Sequence, residues 1–303
     1  MQFGAQLNHF LTSWENILST IKIVESGNWH SLWVSDHFIP PIGENVEHRE
    51  ALEGWSLITA AAIVTKRLRL GVLVSGNTYR NPALLAKMAA TVDQISNGRL
   101  ILGIGAGWFK QEHEMFGWEF PSVKERSDRL EEAVELIKLL FNAKAPISFE
   151  GRYYKLKNAY FSPPCIQKPH IPILIGGNGE KRTLSTVARL GDICNLDFNL
   201  PGSPAMFKHK IEVLERHCEE FGRDLSEIKK TLHIPIHLEN DEKRAATLRK
   251  KRGDWTLTGS ASFIINRIQE YLDVGVEEFM FGSVPSKAEL FERLDDEILS
   301  AFI

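Results

Sequence analysis

Apolar runs of strand length alternate with amphipathic helical stretches along the whole 303-residue chain, and this alternation restricts the fold more than any other feature. Strands are expected at Gln2–Leu7, Ser31–Ser35, Leu68–Val74, Leu100–Gly105, Ile173–Gly176, Asp192–Asn195, Leu232–Ile236 and Glu278–Phe281. Helices are expected at Trp14–Ser26, Trp55–Thr65, Pro82–Ser96, Val123–Phe141, Glu180–Arg189, Ala205–Phe221, Ala261–Val274 and Lys287–Leu299. The strand segments are almost continuously apolar, as when both faces of a parallel sheet are covered. Eight strands separated by helices, at roughly 38 residues per unit, make a (β/α)8 TIM barrel, an α/β fold that holds such a length in one domain. No Pro/Ser/Gly-rich linker or internal repeat divides residues 1–303. Pro82 suits a first helical position, where its missing N–H costs nothing, and Gly27, Gly98, Gly222 and Gly275 each stand where a left-handed cap residue is expected.

Three stretches exceed a minimal barrel. His37–Gly54, with Pro40, Pro41 and Gly43, follows the second strand and is the natural wall or lid of a site, because loops after the strands form the active face. Ile147–Pro164 reads as a small β-hairpin about Glu150-Gly151, and Glu239–Gly259 is charged and expected to be exposed.

Charge narrows the function. The 36 Lys+Arg against 39 Asp+Glu leave a net charge of −3, which provides no electrostatic footprint for nucleic acid or an anionic membrane. Leu57–Val64 is too short to span a bilayer, and MQFGAQLNHF shows neither the basic nor the apolar region of a secretory leader. Cys165, Cys194 and Cys218 are odd in number and lack a CxxC spacing, so neither a disulfide framework nor a structural zinc site is expected. The expected location is the cytoplasm.

Glycines placed just after strands are the strongest local signal. Gly103-Ile-Gly105-Ala106-Gly107 follows one strand, and Gly176-Gly177-Asn178-Gly179 follows another and opens a helix. Such turns bring backbone N–H groups close to an anion, and the helix dipole adds favourable potential. The second loop reads as a phosphate cradle with Arg182 and Thr183 as further donors; the alternative is that glycine only makes a tight turn. Neither loop spells GxGxxG, and no acid-ended strand follows at the dinucleotide-binding distance.

Asp36 and His37 fall just past the second strand, where barrels carry catalytic groups. His37 can serve as general acid or base near neutral pH, or be a satisfied histidine at a strand end. Adjacent strand residues point to opposite sides, so Asp36 instead suits tying down backbone donors of a neighbouring loop. Arg80 at the third strand's exit suits an anionic cofactor tail or a carbonyl cap. Arg126 and Arg129, with Asp128, Glu131 and Glu132, read as helical ion pairs on a solvated face. His233 and His237 share a strand face but lack a third ligand at useful spacing, so no metal site is expected.

Trp33-Val-Ser-Asp-His-Phe38, Leu70–Met88 with Thr78-Tyr-Arg-Asn-Pro82, Gly98–Trp108 with Glu112, and Pro172–Leu184 with Ala188-Arg-Leu-Gly-Asp192 together resemble the bacterial-luciferase-like superfamily. The resemblance covers about residues 1 to 200 and is greatest to the coenzyme F-420-dependent oxidoreductases. It implies a luciferase-like barrel binding the deazaflavin F-420, with His37 near the reactive ring carbon. It also implies a phosphate loop at Gly176, Gly177 and Gly179, contacts from Gly105, Ala106 and Gly107, and a non-proline cis peptide within Leu73–Gly76, where Leu73, Val74 and Ser75 would brace the ring. The family's sugar-phosphate dehydrogenases carry a glutamate and a tryptophan where this chain has Trp108 and Pro41, which implies a more apolar pocket. The function implied is hydride transfer to or from a small organic substrate, in a homodimer. The alternatives are an FMN-dependent monooxygenase supplied by a flavin reductase, and a non-catalytic flavin-binding protein.

Overall fold

In the computed structural model, residues 1–41, 50–197, 202–253 and 256–303 are described. The chain begins β1 (Gln2–Leu7), α1 (Trp14–Ser26), β2 (Ser31–Val34), α2 (Gly54–Val64), β3 (Arg69–Val72), β4 (Ser75–Gly76) and α3 (Pro82–Ser96). It continues with β5 (Leu100–Gly105), α4 (Lys110–Phe116), α5 (Val123–Phe141), β6 (Ile147–Glu150), β7 (Lys155–Ala159) and β8 (Ile173–Gly176). Then come α6 (Thr183–Leu190), β9 (Ile193–Asp197), α7 (Pro204–Phe221), β10 (Lys229–Leu238) and α8 (Glu242–Arg252). The last elements are β11 (Leu257–Gly259), α9 (Ala261–Leu272), β12 (Glu278–Val284) and α10 (Ala288–Glu297).

Eight strands pair in parallel in the order β1, β2, β3, β5, β8, β9, β10 and β12, and the β12–β1 pairing closes the circle. This is the (β/α)8 barrel expected from the alternation. β4 carries on from β3 and pairs with β5, β11 lengthens the exit of β10, and β6–β7 is the expected hairpin. No helix among the described residues is long and apolar enough to cross a membrane.

Local chemistry explains the helix starts. Ser13, Ser122, Ser203 and Ser260 each accept a backbone N–H three residues on, and Asn81 accepts those of Ala83 and Leu84 just ahead of Pro82. Asn97 takes the left-handed position after α3 that was expected of glycine, with Gly98 left-handed beside it. The expectation for Gly27 is corrected: it is extended at φ −88°, and glycine is needed there because a Cβ would collide with the Asp295 carboxylate.

The main apolar core lies between the barrel and its helices. A second cluster of Trp33, Leu73, Ile101, Leu174, Ile193 and Met280 comes from the alternate strand positions and fills the lumen. A Cβ on Gly71 would strike the Trp33 ring, so that glycine makes room for the largest lumen side chain. At the strands' N-terminal ends the fully buried Glu278 carboxylate accepts from Ser31 and, at 2.5 Å, from Lys229. That end is closed, and the open end is where the strands exit.

Four elements were not anticipated, the two-residue β4 among them. α4 has only seven residues, too few for a helical period to show. α8 and β11 lie in the stretch read as charged and exposed. α6 starts at Thr183, not at Glu180, so the glycine loop before it is longer than expected. Residues 42–49 of the expected lid, and 254–255 of the charged stretch, lie outside the described residues.

Candidate active site

A cavity of about 800 Å³ opens at the strands' C-terminal ends. His37 lies on its wall just beyond β2, its side chain 15% exposed. Its Nδ1 is 3.2 Å from Oε2 of Glu112, a carboxylate with no exposed surface, whose Oε1 accepts the Phe38 N–H at 2.6 Å. Because an ionised carboxylate only accepts, Nδ1 carries the hydrogen and Nε2 keeps its lone pair. Trp108 and Phe109 meet the imidazole edge-on, with centroids 5.4 and 5.8 Å away. Glu112 projects from the first turn of α4; it was visible in the sequence as part of a motif, but nothing there linked it to His37.

Asp36 faces the other way, as alternation requires, and is not part of the cavity wall. Its Oδ2 accepts the Gly76 N–H at 3.0 Å, its carbonyl accepts from the Tyr79 hydroxyl, and its carboxylate takes two bonds from Arg80 at 2.7 and 2.5 Å. Arg80 also reaches Glu53 at 2.6 Å, and Glu53 caps α2. Burial raises the Asp36 carboxyl above its ordinary range, with Arg80 and the Gly76 N–H pulling the other way. Burial likewise works against the Arg80 charge, but Asp36 and Glu53 outweigh it and hold the guanidinium above its usual value. Arg80 therefore braces the β2 and β4 loops through Asp36, and the reading of it as the direct anchor of an anionic tail is replaced by that role.

The peptide between Leu73 and Val74 is cis, at the position the resemblance implied. Leu73, Val74 and Ser75 all line the cavity, and the Ser75 hydroxyl accepts from the Trp55 indole at 3.0 Å. Val74 also explains two of the glycines. A Cβ on Gly105 would lie 2.7 Å from Val74 Cγ2, and one on Gly176 would lie 3.0 Å from Val74 Cγ1. These positions are small so that Val74 can fit between β5 and β8, whatever else they bind.

Gly105, Ala106 and Gly107 form one part of the wall, and Gly176 and Gly177 another. Gly107 needs its φ of +77°, and Gly177 its +132°. Arg126 donates to the Gly107 carbonyl at 3.2 Å and to that of Pro121 at 2.5 Å, and it stacks 4.0 Å over Phe120. It is buried and supports this loop, a correction to its reading as a helical ion-pair partner; Arg129 pairs with Glu125 and Glu119 and not with the acids expected.

Thr183 joins the wall at the first turn of α6, whose N-terminus has no side-chain cap. Gly179 and Asn178 stand behind it: the Gly179 carbonyl accepts from Leu184, while Asn178 brackets the Asp197 backbone at 3.0 and 3.2 Å. Arg182 turns away to Asp128 and Glu131 on α5, and its guanidinium is not on the cavity wall. Sequence reading missed the contribution of Gln6, Asn195, Asp197 and His233 to the wall. The even spacing of His233 and His237 placed them on one strand face, but only the closed barrel shows His233 at the cavity. Among the described residues no group of three or more His, Cys, Asp or Glu is placed to hold a metal ion.

A parallel barrel with a buried-carboxylate-supported histidine at its mouth, and glycine loops on the facing strands, defines a cofactor-scale binding site of enzyme type. The luciferase-like monooxygenase family model matches residues 1–303, and the chain belongs to that family. It is 32% identical to an F-420-dependent glucose-6-phosphate dehydrogenase of Amycolatopsis mediterranei, over 71% of this chain and 62% of that protein. It is 26% identical to a 5,10-methylenetetrahydromethanopterin reductase of Methanopyrus kandleri, over 83% of this chain and 70% of that protein. The matched stretch thus spans about three fifths of the first of these relatives. An F-420-dependent secondary alcohol dehydrogenase, solved with an F-420–acetone adduct, superposes with a TM-score of 0.84 at 22% identity, covering 100% of this chain and 99% of that one. That likeness supports the fold.

Proposed function

We propose that the protein is a coenzyme F-420-dependent oxidoreductase that transfers a hydride to or from a small organic substrate. The observation that carries this reading is His37 on the cavity wall, held by the buried Glu112 and facing an enclosure that includes Leu73–Ser75 and the two glycine loops. The F-420-dependent dehydrogenases among its relatives support the choice of coenzyme. The residues present fit it. Thr183 opens the uncapped α6, whose N-terminal N–H groups and dipole suit a phosphate, and Gly176 and Gly177 line the cavity on the loop leading to it, the Gly177 N–H being committed to the Asn195 carbonyl. Gly105, Ala106 and Gly107, with Leu73, Val74 and Ser75, form an apolar slot suited to a planar ring.

When bound, the deazaflavin provides the carbon that gains or loses the hydride. In oxidation, His37 Nε2 accepts the substrate hydroxyl proton while Glu112 steadies the resulting imidazolium; in reduction, the same nitrogen returns the proton. Pro40, Pro41, Trp108 and Phe109 keep this end of the cavity apolar and exclude water. The same reading places the protein in the cytoplasm as a homodimer, which light scattering checks.

Purified protein titrated separately with F-420 and FMN, followed by fluorescence quenching, tests the reading. Micromolar or tighter binding of F-420 alone is expected. Preference for FMN would favour an oxygen-using monooxygenase fed by a reductase, and binding of neither would overturn the cofactor assignment. Replacing His37 by Ala is expected to leave F-420 affinity within a few-fold and to lower turnover by roughly 10²–10⁴. Unchanged turnover would remove His37 from the chemistry.

A further inference from the structure

The cavity wall changes character where β12 and β1 end. Asn8 and Thr12 reach it from the stretch between β1 and α1, and Ser283 and Lys287 from the end of β12 and the turn into α10. The backbone here is shaped for the purpose. Ala5 pairs with Phe281 but Leu7 pairs with Val284, so two steps along β1 are matched by three along β12, which is a bulge. Inside that bulge Ser283 is left-handed at φ +62°, a conformation that L side chains adopt only at a cost and that bulges beside active sites use to re-aim a side chain. Ser283 is exposed and lines the cavity. Beyond it the Ser286 hydroxyl donates to the Asn8 carbonyl at 2.6 Å, which ties the turn carrying Lys287 to the end of β1.

The groups gathered here are donors. Lys287 is the one Lys or Arg among the described residues of the wall, and its ammonium only donates. Among the described residues it has no carboxylate within ion-pair distance and no hydrogen-bonded side-chain partner, and the Thr12 and Ser283 hydroxyls also hold no hydrogen bond. Asn8 Oδ1 accepts the Phe10 N–H at 2.9 Å, which leaves the amide NH2 to donate. The wall's carboxylates lie elsewhere: Glu112 holds His37 and the Phe38 N–H, and Asp197 ends β9, with β10 between it and β12. A cation with neutral donors round it is matched by an anionic group, which gains a charge-assisted hydrogen bond from the ammonium. β12, β1 and β2 are consecutive, so this cluster stands two strand spacings, about 10 Å, from the strand exit that carries His37. We propose that Lys287, with Ser283, Thr12 and Asn8, forms a subsite for a carboxylate that the substrate carries a few carbons from its reacting carbon. The identity of the reacting end rests on the proposed function, which this deepens: the substrate class is a hydroxy acid or the corresponding oxo acid, with the carbinol or carbonyl beside His37 and the carboxylate beside Lys287.

Calorimetric titration at low ionic strength with 4-hydroxypentanoate, 5-hydroxyhexanoate and 6-hydroxyheptanoate, each against its own primary amide, tests this on the protein with and without F-420. The amide keeps the shape of the acid and removes its charge. At least one acid is expected to bind about fivefold or more tightly than its amide, and the best of the three measures the spacing between the two ends. That preference is expected to shrink in about 0.5 M salt. In Lys287→Gln it is expected to fall to within about twofold, and in Lys287→Glu to reverse in favour of the amide, with F-420 affinity changed less than about threefold in both. Equal or undetectable binding of every acid and amide by the parent protein overturns the subsite, as does a preference for the acid that survives Lys287→Glu. A large loss of F-420 affinity in Lys287→Gln overturns it too, by assigning Lys287 to the coenzyme. If F-420 does not bind but the Lys287-dependent preference for the acid is present, the proposed function fails and the subsite stands.

Discussion

His9 should make the protein lose stability in weak acid, by an amount the structure sets. It lies at the exit of β1 and is 1% exposed. Its Nδ1 is 2.5 Å from the Leu52 carbonyl and its Nε2 is 2.8 Å from Ser35 Oγ. A carbonyl only accepts, so Nδ1–H donates to Leu52 and Nε2 accepts from Ser35. The neutral ring satisfies both contacts and joins the chain after β2 to the chain entering α2. Burial lowers its pKa to about 4 from 6.5, against the opposing pull of the Leu52 carbonyl. Between those values the unfolded chain binds a proton that the folded protein refuses. The stabilisation is therefore complete above pH 6.5 and is lost as pH falls towards 4. At about 1.4 kcal/mol per unit, the loss from this group approaches about 3 kcal/mol. Urea unfolding of the parent and of His9→Gln, followed at half-unit steps from pH 7.5 to 4, measures it. The variant starts less stable because its hydrogen bonds are poorer, but it has no proton to gain at this position. Its deficit should shrink by about 3 kcal/mol over the window, or reverse. A deficit constant from pH 7.5 to 4 would refute the linkage.

Three other outcomes follow from the site. Glu112→Gln removes the carboxylate that steadies His37, and is expected to lower turnover about 10- to 100-fold with F-420 affinity nearly unchanged, read as kcat against coenzyme Kd. Arg80→Met leaves buried Asp36 without its counter-charge; a loss of about 3–5 kcal/mol in urea unfolding is expected, partly restored by adding Asp36→Asn. A loss below 1 kcal/mol for the single variant would show the pair to be dispensable, on the scale of about 0–1 kcal/mol known for exposed ion pairs. Gly105→Ala places a methyl group 2.7 Å from Val74 Cγ2 and is expected to cost about 1–3 kcal/mol through overpacking, together with weaker coenzyme binding in the fluorescence titration. Full retention of both would mean that Val74 can shift without consequence.

Much of the architecture was legible because each barrel strand and each long helix carries its own signal. β1, β5, β8, α1, α3 and α5 have the expected limits, where apolar runs end at turn residues and helices open on Ser or on Asn-Pro. The signal failed where the element was shorter than its period, as in α4, or where no apolar stripe existed, as in the highly charged α8. Among the site residues, His37 and the glycine loops showed because strand ends and glycine turns are local features. The partners that give them a role did not. Glu112 is 75 residues from His37, and Arg80 is 44 from Asp36. The glycines had a second reason that was invisible in sequence, since Val74 requires space from both Gly105 and Gly176.

By itself, then, the sequence determined the repeating strand-and-helix order, the closed parallel barrel this order favours, and the strand exits at which His37 and the glycine turns stand. Periodicity, capping and turn chemistry act over a few residues, so one chain displays them directly. Only the tertiary structure decided which face of each strand meets the lumen, that Arg80 is committed to Asp36, and that Glu112 reaches His37. It also decided that Asp197, His233 and Gln6 share one wall. These are matters of register and barrel closure, which bring together residues more than two hundred positions apart, as with Gln6 and His233, and no local pattern encodes such a meeting.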